Sequence, residues 1–141
     1  MSCAGQGGRT RQQVDRWTNS IHNLLASTEG RTAFRQYLLE RSFTQEERTL
    51  LFWEVLDETQ DLINRNATTK EIHENICKLI QLANDEDVNL DLSQMRELRK
   101  CKREQDMTVL RETLERAKDW TVQLLRERYR DFADKLLEKY S

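Results

Sequence analysis

Apolar residues in this chain recur by threes and fours along most of its length, the spacing of amphipathic helices. Val14, Trp17, Ile21, Leu24 and Leu25 form one stripe, predicting a helix that ends near the polar Ser27-Thr28-Glu29-Gly30. Gly30 would supply the positive φ of a helix-terminating turn. A short helix with Phe34, Tyr37 and Leu38 on one face follows, and Thr44 with Glu47 has capping-box spacing. The run Leu50, Leu51, Phe52, Trp53, Val55 and Leu56, continued by Leu62 and Ile63, is too wide for a surface stripe. It predicts the central, most buried helix.

Thr68 and Glu71 repeat the capping-box spacing, and Ile72, Ile76, Leu79, Ile80 and Ala83 continue as a fourth amphipathic helix. The acidic stretch "NDEDVNLDLSQ" interrupts the pattern. The most regular stripe comes next, through Met107, Leu110, Leu114, Ala117, Thr121, Leu124 and Leu125. A last helix carries Tyr129, Phe132, Ala133, Leu136, Leu137 and Tyr140, and no solenoid-length repeat is visible.

The chain has 141 residues, no proline and four glycines, three of them within the first eight positions. Little therefore interrupts helices, and the length suits a single all-α domain. Residues 1–13, small and polar, read as a flexible tail, and residues 14–141 as the domain.

A net charge of −2, from 23 basic and 25 acidic residues, favours neither nucleic acid nor an anionic membrane globally. Cys3, Cys77 and Cys101 lie far apart without metal-ligand spacing, which suits a reducing, cytoplasmic compartment. No apolar run approaches the ~18 residues of a membrane span, and no signal peptide is apparent. Asn66-Ala67-Thr68 matches a glycosylation sequon but reads more simply as a helix-start loop.

The raw material of catalysis is thin. His22 and His73 stand apart from any ligand set, and no glycine-rich phosphate loop is present. No catalytic residue, metal site or cofactor is expected. Cys3, near Arg9, Arg11 and Arg16, is a candidate acylation site, although a plain exposed cysteine is the simpler explanation. Arg96, Arg99, Lys100, Lys102 and Arg103 form a basic cluster able to face phosphates or acidic headgroups, although a solvated helix face is the simpler explanation. It lacks the interleaved aromatics of base stacking.

Taken in order, Trp17, Ser20, Leu24-Leu25, Gly30, Phe34, Tyr37-Leu38, Phe52-Trp53 and Val88-Asn89-Leu90-Asp91 resemble the regulator of G-protein signalling (RGS) domain. The closing "ERAKDWTVQLLRERYRDFADKLLEKY" is similar to that family's last helices, and the resemblance covers residues 14 to 140. It implies a bilobed, all-α bundle of about nine helices, with a terminal lobe and an antiparallel bundle lobe. Trp17, Phe34, Phe52 and Trp53 would then be core.

The resemblance also implies a function. Family members act as GTPase activators (GAPs): they grip the switch regions of an activated Gα subunit and speed GTP hydrolysis without inserting an arginine. The expected Gα-binding residues are Glu46, Glu47, Asn89, Asp91, Leu124, Glu127 and Arg128. Asn89 matches the asparagine that approaches the catalytic glutamine of Gα, and Asp91 the aspartate that fixes its loop. The sequence departs from the pattern elsewhere. Ungapped counting from Phe52 puts Arg48 and Thr49 where Glu-Asn is usual, so that Glu46 and Glu47 take the acidic role after a local shift. Glu127, Arg128 and Asp131 stand where Asp, a small residue and Arg are common.

The implied protein is a cytoplasmic monomer with a Gα partner, no nucleic-acid partner and, as a secondary expectation, peripheral contact with the inner face of the plasma membrane. The alternative function is a non-catalytic scaffold or effector module of the same fold that binds a different protein. Taken alone, Met107 to Leu125 would suggest an oligomerising coiled coil, but it spans fewer than the three to four heptads usually needed.

Overall fold

The computed structural model describes residues 9–85 and 88–140. Cys3 and most of the expected tail therefore lie outside the described residues. Within them are seven α-helices and one 3-10 turn, and no strand. The helices are α1 (Arg11–Asn19), α2 (Ile21–Ala26), α3 (Thr28–Glu40), α4 (Thr44–Asn64), α5 (Thr69–Asn84), α6 (Leu92–Lys100) and α7 (Met107–Tyr140), with the 3-10 turn at Cys101–Arg103 between the last two. The all-α expectation holds, but the described helices number seven where about nine were expected. One reason is that α7 runs unbroken for 34 residues, with no proline or glycine to separate its two halves.

The chain divides into two compact units. A terminal unit gathers the described residues up to Ser42 with those from Arg126 onward, and a central unit spans Phe43–Leu125.

In the terminal unit, α1 begins earlier than Val14, because Thr10 caps it. The Thr10 hydroxyl accepts from the Gln13 N–H, and the Gln13 side chain accepts from the Thr10 N–H, both at 3.0 Å. The stripe from Val14 to Leu25 is buried as expected but belongs to two helices. Ser20 is extended at the break, and its hydroxyl accepts from the Asn23 N–H at 3.1 Å to start α2.

Ser27 ends α2, as expected, its N–H donating to the Leu24 carbonyl at 3.2 Å, and at once starts α3, its hydroxyl accepting from the Gly30 N–H at 3.0 Å. Gly30 thus sits inside the first turn of α3 and is no terminating turn. It serves close packing: a Cβ there would lie 2.6 Å from the Leu24 carbonyl oxygen and 3.0 Å from a Leu24 methyl. Gly30→Ala, which in an open helix would gain up to about 1 kcal/mol, is expected to cost about 1–3 kcal/mol here because backbone must move. Thermal unfolding followed by circular dichroism should show a drop of roughly 5–10 °C.

Trp17, Leu24 and Phe34 are fully enclosed. Phe132 packs against Phe34 and Tyr37, with ring centroids 5.3 and 5.4 Å away. The Tyr129 hydroxyl, in a buried site, donates to the Trp17 carbonyl at 2.7 Å, which satisfies both groups where water is excluded.

The central unit is built around α4. Its start differs from the expected capping box: Phe43 is the N-cap, without a side-chain cap hydrogen bond, and Thr44 is already helical. The preceding Ser42 takes φ 61° and bonds back from its N–H to the Leu39 carbonyl at 3.1 Å, moving the helix start by one residue. At the far end Asn66 takes φ 58°. Its N–H reaches the Ile63 carbonyl at 3.1 Å and the Ala67 N–H reaches that of Leu62 at 2.9 Å, a Schellman closure. The sequon therefore lies in the turn leading to α5, whose Thr68–Glu71 capping box is present as expected.

Phe52, Leu56, Leu79, Leu98, Leu110 and Leu114 form the centre of this core. The stripe beginning at Met107 is thus consumed internally, which removes the motive for an oligomerising seam. Trp53 is also buried, with the Lys118 ammonium 4.9 Å from its ring centroid and 2.7 Å from Asp57. Among the described residues, no buried side-chain nitrogen or oxygen lacks a hydrogen-bond partner.

Cys101 closes this core beneath the 3-10 turn, donating to the Glu97 carbonyl at 3.6 Å. Burial, helped by Glu97 and Glu104, pushes its thiol up to about 11 from 9.0. Because the folded protein holds this proton more tightly than the unfolded chain, the associated stability is complete below pH 9 and fades as pH rises towards 11. Urea unfolding of wild type and Cys101→Ala should therefore show a stability difference that narrows across that interval.

Candidate protein-binding site

The loop Val88-Asn89-Leu90-Asp91 presents exposed polar side chains at Asn89 and Asp91. Val88 is only 3% exposed and anchors the loop in the central core. The Leu90 N–H donates to the Val88 carbonyl at 2.9 Å, closing a three-residue turn with Asn89 at its apex. Asp91 holds the other side as the N-cap of α6: its carboxylate accepts from the Gln94 N–H at 2.8 Å, and the Gln94 side-chain oxygen accepts from the Asp91 N–H at 3.0 Å. This capping box was available in the spacing of Asp91 and Gln94 but was not singled out there. Asn89 is left exposed on a backbone tied down on both sides.

Asn89 lines a cleft of about 440 Å³ with Gln45, Asn84, Leu90, Met95 and Arg99 among its neighbours. Gln45 comes from the first turn of α4, so the start of that helix and the Asn89 loop open onto one cavity. Glu46 and Glu47 stand in the same first turn, half-buried, where carboxylates complement the positive end of the helix dipole. Thr49 is buried, its hydroxyl donating to the Gln45 carbonyl at 3.0 Å, and so contributes to the helix and not to an outer surface.

Sequence reasoning did not place Gln45, Asn84, Met95 or Arg99 at this site. The Arg99 guanidinium donates to the Asn84 side-chain oxygen at 2.9 Å, joining the end of α5 to α6 across the rim of the cleft. Leu92, immediately after Asp91, is 66% exposed, the most exposed large hydrophobic side chain among the described residues. Its position at a helix start beside a polar loop was visible in the sequence; its exposure was not.

The remaining expected residues lie on α7. Leu124, in the central unit, is half-buried and packs against that unit's core with part of its surface. Glu127 and Arg128 belong to the terminal unit, where Glu127 is exposed and Arg128 half-buried. The Arg128 guanidinium lies 3.7 Å from Asp131 and 3.9 Å from Glu127. Burial pushes the nearby Tyr37 phenol up, and Asp131 adds to this, against the opposing pull of Arg41 and Arg128. Of the charges that depart from the expected pattern, Arg128 and Asp131 therefore offset one another within one turn of α7.

No helix among the described residues is long and apolar enough to cross a membrane. No curated protein and no solved structure matches the chain significantly. The model of the regulator of G protein signaling domain, however, matches residues 20–137, a span holding the Asn89 loop, the start of α4 and most of α7. With most of its length matched, this chain belongs to the RGS domain family, which regulates G-protein signalling.

Proposed function

We propose that this domain accelerates GTP hydrolysis by an activated Gα subunit, binding its switch regions through Asn89 and Asp91, the Glu46-Glu47 turn, and Leu124, Glu127 and Arg128 of α7. The observation that carries this is the presentation of Asn89: exposed, at the apex of a closed turn, and sharing a cleft with the first turn of α4. A polar group held this way needs little reorganisation on binding. It can favour the transition-state arrangement of a mobile partner over its ground state, which is what lowers a barrier. The hydrolytic groups are then those of Gα, and this chain orders them without supplying a nucleophile, metal or cofactor.

The internal pairing of Arg128 with Asp131 supports the same reading, since a compensated charge is less costly to desolvate at an interface than an isolated one. The length of the half-buried Arg128 is the observation that favours the alternative, a non-catalytic module with another protein partner. Single-turnover GTP hydrolysis by purified Gα subunits of the inhibitory and q classes, with and without the domain, separates the two. A faster turnover, with preferential binding to Gα·GDP in complex with a fluoride transition-state mimic, is expected. Unchanged rates from folded protein across both classes would leave the scaffold reading. The domain is expected to act as a monomer in the cytoplasm.

A further inference from the structure

The capping box of Asp91 and Gln94 that frames the Asn89 turn belongs to α6, a helix of nine residues that buries a single side chain, Leu98, near its far end. A helix that short does not hold itself in water, so its direction is set by what it is tied to. Between Val88 and Leu98 the chain meets the central core through Leu90 and Met95, each only half-buried. Two polar ties add to this attachment. Glu97 accepts from the Arg116 guanidinium of α7 at 3.1 and 2.6 Å, and the Arg99 guanidinium donates to the Asn84 side-chain oxygen of α5 at 2.9 Å.

The second tie has a particular place. Asn84 is the last residue of α5, where the chain departs towards Asn89, and Arg99 stands in the last turn of α6, where the chain has come back. Their bond closes the segment carrying Asn89 into a ring, which has fewer conformations open to it than a free loop. Both partners also line the cleft that Asn89 shares with Gln45 at the start of α4. The bond itself is exposed, and an exposed hydrogen bond adds little to global stability because water replaces it well. Its effect is local, on where the ring sits.

We propose that Arg99 is a positioning residue for Asn89: held by Asn84, it fixes α6 and, through the Asp91 cap, the turn that presents Asn89 beside the first turn of α4. The consequence for hydrolysis rests on the Gα reading, and the geometric part does not. A group that acts by being preorganised loses effect steeply when its support is loosened, even where the support touches no reacting atom.

The test is single-turnover GTP hydrolysis by Gα subunits of the inhibitory and q classes, titrated to saturation with wild type, Arg99→Gln, Arg99→Lys, Asn84→Ala, Asn89→Ala and Arg99→Gln/Asn89→Ala. Arg99→Gln and Asn84→Ala are each expected to lower the saturating rate by roughly tenfold, with the half-saturating concentration and the melting temperature little changed. Arg99→Lys, which can still donate to Asn84, should recover most of that rate. In the Asn89→Ala background Arg99→Gln should do nothing further, whereas a purely structural role would cost rate in both backgrounds. Amide hydrogen exchange, followed by NMR without Gα, should show the Leu90 N–H opening several-fold faster in Arg99→Gln.

A raised half-saturating concentration at an unchanged saturating rate would make Arg99 a contact residue and overturn the proposal. So would additive losses in the Asn89→Ala background, or a rate untouched by Arg99→Gln when wild type is active. If wild type stimulates neither class, the Gα reading fails by itself, and the Leu90 exchange decides the positioning: faster opening supports it and unchanged opening overturns it.

Discussion

Replacing Asn89 with alanine is expected to abolish most of the stimulated GTP hydrolysis while leaving the fold intact. The side chain is exposed, and the turn around it is held by the Leu90 N–H, by buried Val88 and by the Asp91–Gln94 capping box, none of which uses the Asn89 amide. Removing one preorganised polar group aimed at a transition state commonly costs about 10²-fold in rate. A loss of that size is expected in single-turnover assays at fixed domain concentration, with the melting temperature unchanged within error. An active wild type matched by an equally active Asn89→Ala variant would show that the loop is not the element acting on Gα. Asp91→Ala probes the same frame indirectly. It removes the α6 cap and should lower stability by about 1 kcal/mol as well as activity.

Phe52→Ala should have the largest effect on stability. Phe52 is fully buried in the central core, at the heart of α4. Truncating an enclosed phenylalanine costs about 3–5 kcal/mol through lost burial and a residual cavity, against a total stability of about 5–15 kcal/mol for ordinary domains. The urea midpoint is expected to fall by roughly 2 M, with Phe52→Leu intermediate. A change below about 1 kcal/mol would mean that the site collapses around the truncation, contrary to interior close packing.

What the sequence disclosed depended on range. The stripes through Leu50 to Ile63 and Leu110 to Leu125 were legible because one face of a helix repeats with the backbone period, and those residues are largely buried. The Thr68–Glu71 box was legible because both partners lie within one turn. The break at Ser20 was hidden because the apolar spacing carries across a single extended residue. Gly30 was misjudged because its purpose is set by the Leu24 carbonyl in the preceding helix, and not by its own φ. The start of α4 was displaced by the positive φ of Ser42, a conformation that sequence favours only weakly for serine. At the candidate site, Asn89 and Asp91 were reached through the family resemblance. The Arg99–Asn84 bond joins residues 15 positions apart and follows from how α5 and α6 meet, which no local pattern encodes.

The terminal unit is discontinuous along the chain, and this bears on its order of assembly at the ribosome. The central unit is complete once Leu125 has emerged, whereas Trp17 must wait 112 residues for Tyr129. The central core can therefore condense while α1 to α3 still lack their closing helix. Until α7 is complete, Trp17 and Phe34 lack the Tyr129 and Phe132 partners that close over them.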